Sequence, residues 1–162
     1  MNKLLLALGL AAAIFSVNAK EEAMLETVFA DSTTLHSPGI AKQVVTYKGV
    51  KAFHSKGYLM LVIPLEDYDG KSELTVTVRA ARDNSQPANL GVICQVRDKK
   101  TKKMLSNNMN IRSMTEQFTD YHFKINPGKL VPGTSQFRIL FYAVGKKGNI
   151  YLEKIKVESA KK

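Results

Sequence analysis

T-E-Q-F-T-D-Y-H-F-K-I (Thr115–Ile125), F-R-I-L-F-Y-A-V (Phe137–Val144) and N-I-Y-L-E-K-I-K-V (Asn149–Val157) decide the fold. In the first, Tyr121, Phe123 and Ile125 alternate with His122 and Lys124. In the second, Phe137, Ile139, Phe141 and Ala143 alternate with Arg138, Leu140 and Tyr142. Side chains of a strand point to opposite faces in turn, so a period of two among β-branched and aromatic residues predicts antiparallel strands. A Pro/Gly loop and the G-K-K-G turn (Gly145–Gly148) separate the three runs.

Working outward, the same signal recurs. Met24–Ala30 reads as a first strand behind a K-E-E-A lead, Val44–Tyr47 as a second, and K-A-F-H-S after the break at Gly49 as a third. Tyr58–Ile63 (Y-L-M-L-V-I) is apolar on both parities, which predicts a central strand covered on both faces. Pro64 and the D-Y-D-G turn at Asp67–Gly70 end it. Leu74–Ala80 alternates cleanly, Leu90–Val96 reads as the next strand, and Asn107–Ser113 is ambiguous, with room for a short strand. No helical period follows residue 19. Eight or more short strands with Gly, Pro, Asn and Asp loops indicate an all-β, two-sheet antiparallel sandwich of jelly-roll type, with a closed barrel as the alternative.

The first 19 residues stand apart. Lys3, the apolar run Leu4–Phe15 and the small residues Val17 and Ala19 form a secretory signal peptide pattern, too short to span a bilayer. Cleavage after Ala19 leaves Lys20–Lys162, one domain, secreted or periplasmic. The single cysteine, Cys94, shares parity with Leu90, Val92 and Val96 and reads as a buried small hydrophobe. The formal net charge is +10, and the leader carries only one of those charges. That balance suits acidic glycans or anionic head groups; nucleic acid is the least available polyanion outside the cytoplasm. Five basic residues crowd Arg97–Lys103, either a solvated turn kept from edge pairing by lysines or a basic finger for an acidic partner.

The order Y-L-M-L-V-I-P-L, S-E-L-T-V-T-V-R-A-A-R, L-G-V-I-C-Q-V-R-D, T-E-Q-F-T-D-Y-H-F-K-I and G-N-I-Y-L-E-K-I-K-V resembles the galactose-binding-like jelly rolls, especially the carbohydrate-binding modules of bacterial glycan-degrading enzymes. Phe118 and Tyr121 stand at an aromatic and a tyrosine-like position, and Ile150, Tyr151, Glu153 and Val157 match a closing strand motif. The resemblance implies carbohydrate binding and a structural Ca²⁺ between the first and last strands, with Glu26 and Glu153 as its carboxylates. Such modules usually carry tryptophans and a catalytic neighbour. This chain has no Trp, which leaves a stand-alone binder, a subunit, or a member that kept the fold and lost the sugar site.

Catalysis has little support. His36, His54 and His122 lie in no metal-spacing motif, no G-x-S-x-G elbow or phosphate loop occurs, and a turn explains Asp67 and Asp69. A binding face has a better basis. Sugar rings stack on flat aromatic side chains, and with no Trp the tyrosines must serve. Tyr142 and Arg138 share the outward parity of their strand, and Arg79, Gln95, Arg97 and His122 occupy outward parities on others. If those strands share a sheet, they form a polar, basic face with one aromatic platform. The expected function is a secreted, non-catalytic carbohydrate binder, with an acidic glycan matching the charge. The alternative is a structural or protein-interaction module of the cell envelope.

Overall fold

The computed structural model describes residues 21–30, 43–55, 58–64, 68, 71–84, 88–127, 130–131, 133–144 and 149–160. The leader over residues 1–19, His36, the carboxylates Asp67 and Asp69, and the G-K-K-G turn lie outside the described residues. Among those described there are ten strands and no helix. They are β1 (Glu21–Val28), β2 (Val44–Tyr47), β3 (Val50–Ser55), β4 (Tyr58–Ile63), β5 (Leu74–Arg82), β6 (Asn89–Asp98), β7 (Met104–Ser113), β8 (Thr119–Ile125), β9 (Ser135–Val144) and β10 (Ile150–Ala160).

The strands form two antiparallel sheets. One is six-stranded, β2-β3-β10-β5-β8 with β1 also on β10; the other is four-stranded, β4-β9-β6-β7. The barrel alternative is therefore excluded. The inward parities face one another across the sandwich: Leu74, Val76 and Val78 of β5 and Phe123 of β8 on one side, Val92 of β6 with Phe137, Ile139 and Phe141 of β9 on the other. Truncating one of these buried phenylalanines to Ala would cost about 3–5 kcal/mol, transfer and cavity together. Cys94 is buried in this core as its parity requires.

Two irregularities set what the strands present. β10 buries Ile150 and Leu152, then Ile155 and Val157, an odd spacing made possible by a bulge at Glu153. The bulge falls where β10 changes partner from β3 to β1, and the Glu153 carbonyl there accepts from Phe29 N–H at 3.0 Å. Between β2 and β3, Lys48 and Gly49 both have positive φ, 49° and 80°, a hairpin turn whose twist matches that of its strands.

Three sequence expectations need correction. Tyr58–Ile63 is not central: β4 is an edge strand, with Leu59, Leu61 and Ile63 in the core and Tyr58, Met60 and Val62 exposed. Asn107–Ser113 belongs to the ten-residue β7. Glu21–Ala23 of the expected lead belong to β1, because β10 runs far enough to give Glu21 a partner in Ala160.

Candidate functional site

The outer face of the four-stranded sheet is built in rows by its register. The first row is Tyr58, Tyr142, Gly91 and Ile111; the second is Met60, Leu140, Ile93 and Met109; the third is Val62, Arg138, Gln95 and Asn107. Gln136, Arg97 and Met104 make a fourth. Partners within a row are about 5 Å apart, and successive rows about 7 Å. The face thus grades from aromatic and apolar at one end to polar and cationic at the other.

Tyr142 is the centre of the aromatic end. Its ring packs directly on Gly91, occupying space that any side chain there would need, and its hydroxyl reaches across β6 to Met109 Sδ on β7 at 2.8 Å. The ring therefore reaches over Gly91, with its hydroxyl directed toward β7. Tyr58, 65% exposed, stands beside it on the edge strand. Sequence reasoning found Tyr142 but missed Tyr58 and Gly91. An isolated glycine inside a strand was the available signal, since it marks a close approach.

At the polar end Gln136 Oε1 accepts from both Arg138 Nε (2.8 Å) and Nη2 (2.5 Å), while Arg138 Nη1 lies 3.8 Å from Met60 Sδ. The guanidinium is held flat against the face. Arg97 Nε is buried with no hydrogen-bond partner among the described residues.

Four of the six expected ligand residues, Tyr142, Arg138, Gln95 and Arg97, share this face. Arg79 and His122 do not: they project from the six-stranded sheet, on the far side of the sandwich. Both have local partners there. Arg79 Nε donates to Glu153 Oε2 at 2.8 Å and Nη1 lies 3.5 Å from Asp120, while His122 Nδ1 is 3.1 Å from Thr77 Oγ1. Parity shows that a residue points outward but not from which sheet, so the expectation of one shared face fails for these two.

The carboxylates expected for Ca²⁺ are similarly engaged. Glu153 pairs with Arg79 and Glu26 with Lys154 Nζ at 2.5 Å, a hydrogen bond that holds the Glu26 carboxyl below its usual range. Ca²⁺ requires six to eight oxygens. Among the described residues no group of three or more His, Cys, Asp and Glu side chains is placed to hold a metal. Two carboxylates each neutralised by a cation do not fit such a shell.

Beyond that ladder, the six-stranded sheet carries an aromatic stack. Tyr47 lies parallel on Tyr151 (centroids 3.8 Å, 4°), His54 flanks Tyr151 at 5.0 Å, and Phe118 meets Tyr47 edge-on at 6.2 Å. Tyr47 Oη donates to the Arg82 carbonyl at 3.2 Å, and His54 Nε2 meets Asn149 Oδ1 at 3.1 Å. These contacts tie the β2–β3 hairpin to β10 and β5. Tyr121, the other aromatic of the resemblance, is buried and its hydroxyl accepts from Thr115 N–H at 2.9 Å.

No family model and no curated protein sequence matches the chain. Solved structures do. The CBM22-1 xylan-binding domain of Paenibacillus barcinonensis Xyn10C superposes with a TM-score of 0.61 at 16% identity, covering 88% of this chain and 97% of that domain. The CBM22-1–GH10 modules of Clostridium thermocellum endo-1,4-β-D-xylanase 10B, complexed with xylohexaose, give 0.57 at 9% identity, covering 88% of this chain and 29% of that one. The chain has the β-sandwich fold of these carbohydrate-binding modules. At such identities the likeness is one of fold.

Proposed function

We propose that the protein is an exported, non-catalytic carbohydrate-binding module whose binding face is the outer side of the four-stranded sheet. The observation that carries this reading is the ring of Tyr142 packed over Gly91, with the exposed Tyr58 as its cross-strand partner. Tyr58 and Tyr142, cross-strand partners, supply aromatic surface on which pyranose C–H faces stack, and Gln95, Asn107, Arg138 and Arg97 lie further along the sheet's strands to meet hydroxyls or carboxylates. Tyr142 and Arg138 are four residues apart, about 13 Å, so the face suits an extended polysaccharide rather than a single sugar. The arginines favour one that carries acid groups. Both structural neighbours bind xylan or xylohexaose by their descriptions, which makes neutral and glucuronic-acid-substituted xylan the first ligands to test.

Affinity electrophoresis of residues 20–162 through each polysaccharide tests the proposal. The parent is retarded, and Tyr142→Ala and Tyr58→Ala each abolish at least tenfold of the affinity, a loss of about 1.4 kcal/mol or more. Retardation that is absent, or that survives both substitutions, refutes it.

A second reading rests on the same face. Met60, Val62, Met109 and Ile111 are exposed around the tyrosines, and a methionine-rich apolar surface also suits a protein partner. Loss of a captured partner in Met60→Ser/Met109→Ser, with no polysaccharide retarding the parent, would select it.

A further inference from the structure

The β6–β7 hairpin ends in a tip that polysaccharide stacking leaves unexplained. Lys99, Lys100, Lys102 and Lys103 are all exposed there, and none has a carboxylate partner among the described residues. The one acid in the turn, Asp98, faces inward: its Oδ1 accepts from Lys100 N–H (2.9 Å), Thr101 N–H (2.6 Å) and the Thr101 hydroxyl (2.9 Å). These bonds hold its carboxyl below the usual range. Asp98 and Lys103 close the turn through a 2.9 Å backbone bond, with Lys102 in the left-handed region at φ 61°. The carboxylate therefore organises the turn and offsets at most one of its four lysine charges, Lys102 being the one that acts on it.

A second turn abuts the first. Lys99 N–H donates to the Thr134 carbonyl at 2.8 Å, and Ser135 N–H donates to the Val131 carbonyl at 2.9 Å. This places Val131, 55% exposed, at the same end as the lysines. Met104 and Leu105 follow the hairpin turn and are also exposed. A register shift between Val96 and Arg97 leaves Leu105 without a cross-strand partner and turns it out with its neighbour. Three exposed apolar side chains thus sit at the same end as four lysines that form no salt bridge among the described residues.

We propose that this tip, Lys99–Leu105 with Val131, is a docking surface for an anionic lipid bilayer. Lysines by themselves would serve any polyanion. The apolar residues decide the matter, because Met104, Leu105 and Val131 gain only where they leave water, and a bilayer interface offers that directly beneath its charged head groups. A soluble acidic polymer does not. Of the face proposed for carbohydrate, the row holding Met104 borders this end, while the rows of Tyr142 and Leu140 lie at the other.

The test is co-sedimentation of residues 20–162, which contain all ten strands, with vesicles of mixed phosphatidylglycerol and phosphatidylcholine or of phosphatidylcholine alone, at physiological ionic strength. Binding is expected to the mixed vesicles only. Lys99→Gln/Lys100→Gln should weaken it about fivefold per lysine, and Leu105→Ser/Val131→Ser should weaken it at least as much. All four positions are exposed, so both variants should keep the parent's melting temperature, which verifies that they fold. Failure to sediment with anionic vesicles overturns the proposal. So does full binding by the Leu105/Val131 variant, and so does displacement from vesicles by dextran sulfate with no effect of the apolar substitutions, which would make the tip a polyanion site.

Discussion

A Cβ placed on Gly91 would lie 2.5 Å from Cε1 and Cζ of Tyr142 and 2.7 Å from Cγ2 of Val144. The ring and the glycine are a matched pair. Gly91→Ala must push the ring off the sheet, and overpacking of this kind costs about 1–3 kcal/mol. Polysaccharide retardation should fall with stability. Adding Tyr142→Ala to Gly91→Ala should restore part of the stability, the Val144 methyl still crowding the new Cβ, without restoring binding, a non-additivity that urea unfolding would measure. A Gly91→Ala variant as stable as the parent would show that the ring does not rest there.

The parallel rings of Tyr47 and Tyr151 join the β2–β3 hairpin to the rest of its sheet. A double-mutant cycle with Leu at each position should give a coupling of about 0.5–1.5 kcal/mol. Tyr47→Phe keeps the stack but loses the bond to the Arg82 carbonyl, for a further cost of about 0.5–1.5 kcal/mol. A coupling near zero would mean that the hairpin is held by its backbone ladder alone.

Burial pushes the Cys94 thiol up to about 12, whereas in an unfolded chain it ionises near about 8.5. Below the lower value both states hold the proton and the contribution is complete. Between the two, only the unfolded chain releases it, so stability falls as pH rises, by about 1.4 kcal/mol per unit from this group. Urea midpoints should decline more shallowly with alkaline pH in Cys94→Ala than in the parent, although its midpoint at neutral pH is lower. Ellman's reagent should react with the parent only after denaturation.

Glu26 is held below the ordinary carboxylate range by Lys154. Its contribution is present above the unfolded value and disappears as pH falls through the depressed one. The pair is half exposed and open to salt, so Glu26→Gln should cost less than about 1 kcal/mol. With Glu153 committed to Arg79, neither millimolar Ca²⁺ nor a chelator should move the melting temperature. A calcium-dependent rise abolished by Glu26→Gln or Glu153→Gln would restore the metal to this position.

The period of two carried most of the architecture, because a half-buried strand writes its inner face into alternate residues: Phe137, Ile139 and Phe141 went inward, Arg138 and Tyr142 outward. It failed where both parities are apolar. Y-L-M-L-V-I reads alike whether its second face is covered by another layer or left at an edge, and only the pairing of β4 with β9 settles which. It also could not assign a sheet, which is why Arg79 and His122 were grouped with Arg138. Gly91 carries no side chain to classify, and its role depends on a tyrosine from the neighbouring strand.

β10 follows every other strand in the chain, yet β1, β3 and β5 all pair with it. As the polypeptide leaves the ribosome, β4, β6, β7 and β9 can assemble their sheet and β5 can find β8, but Glu21 must wait for Ala160. Closing so wide a span is slow. The first strand therefore remains uncommitted until the last is synthesised, and until then the six-stranded sheet is incomplete.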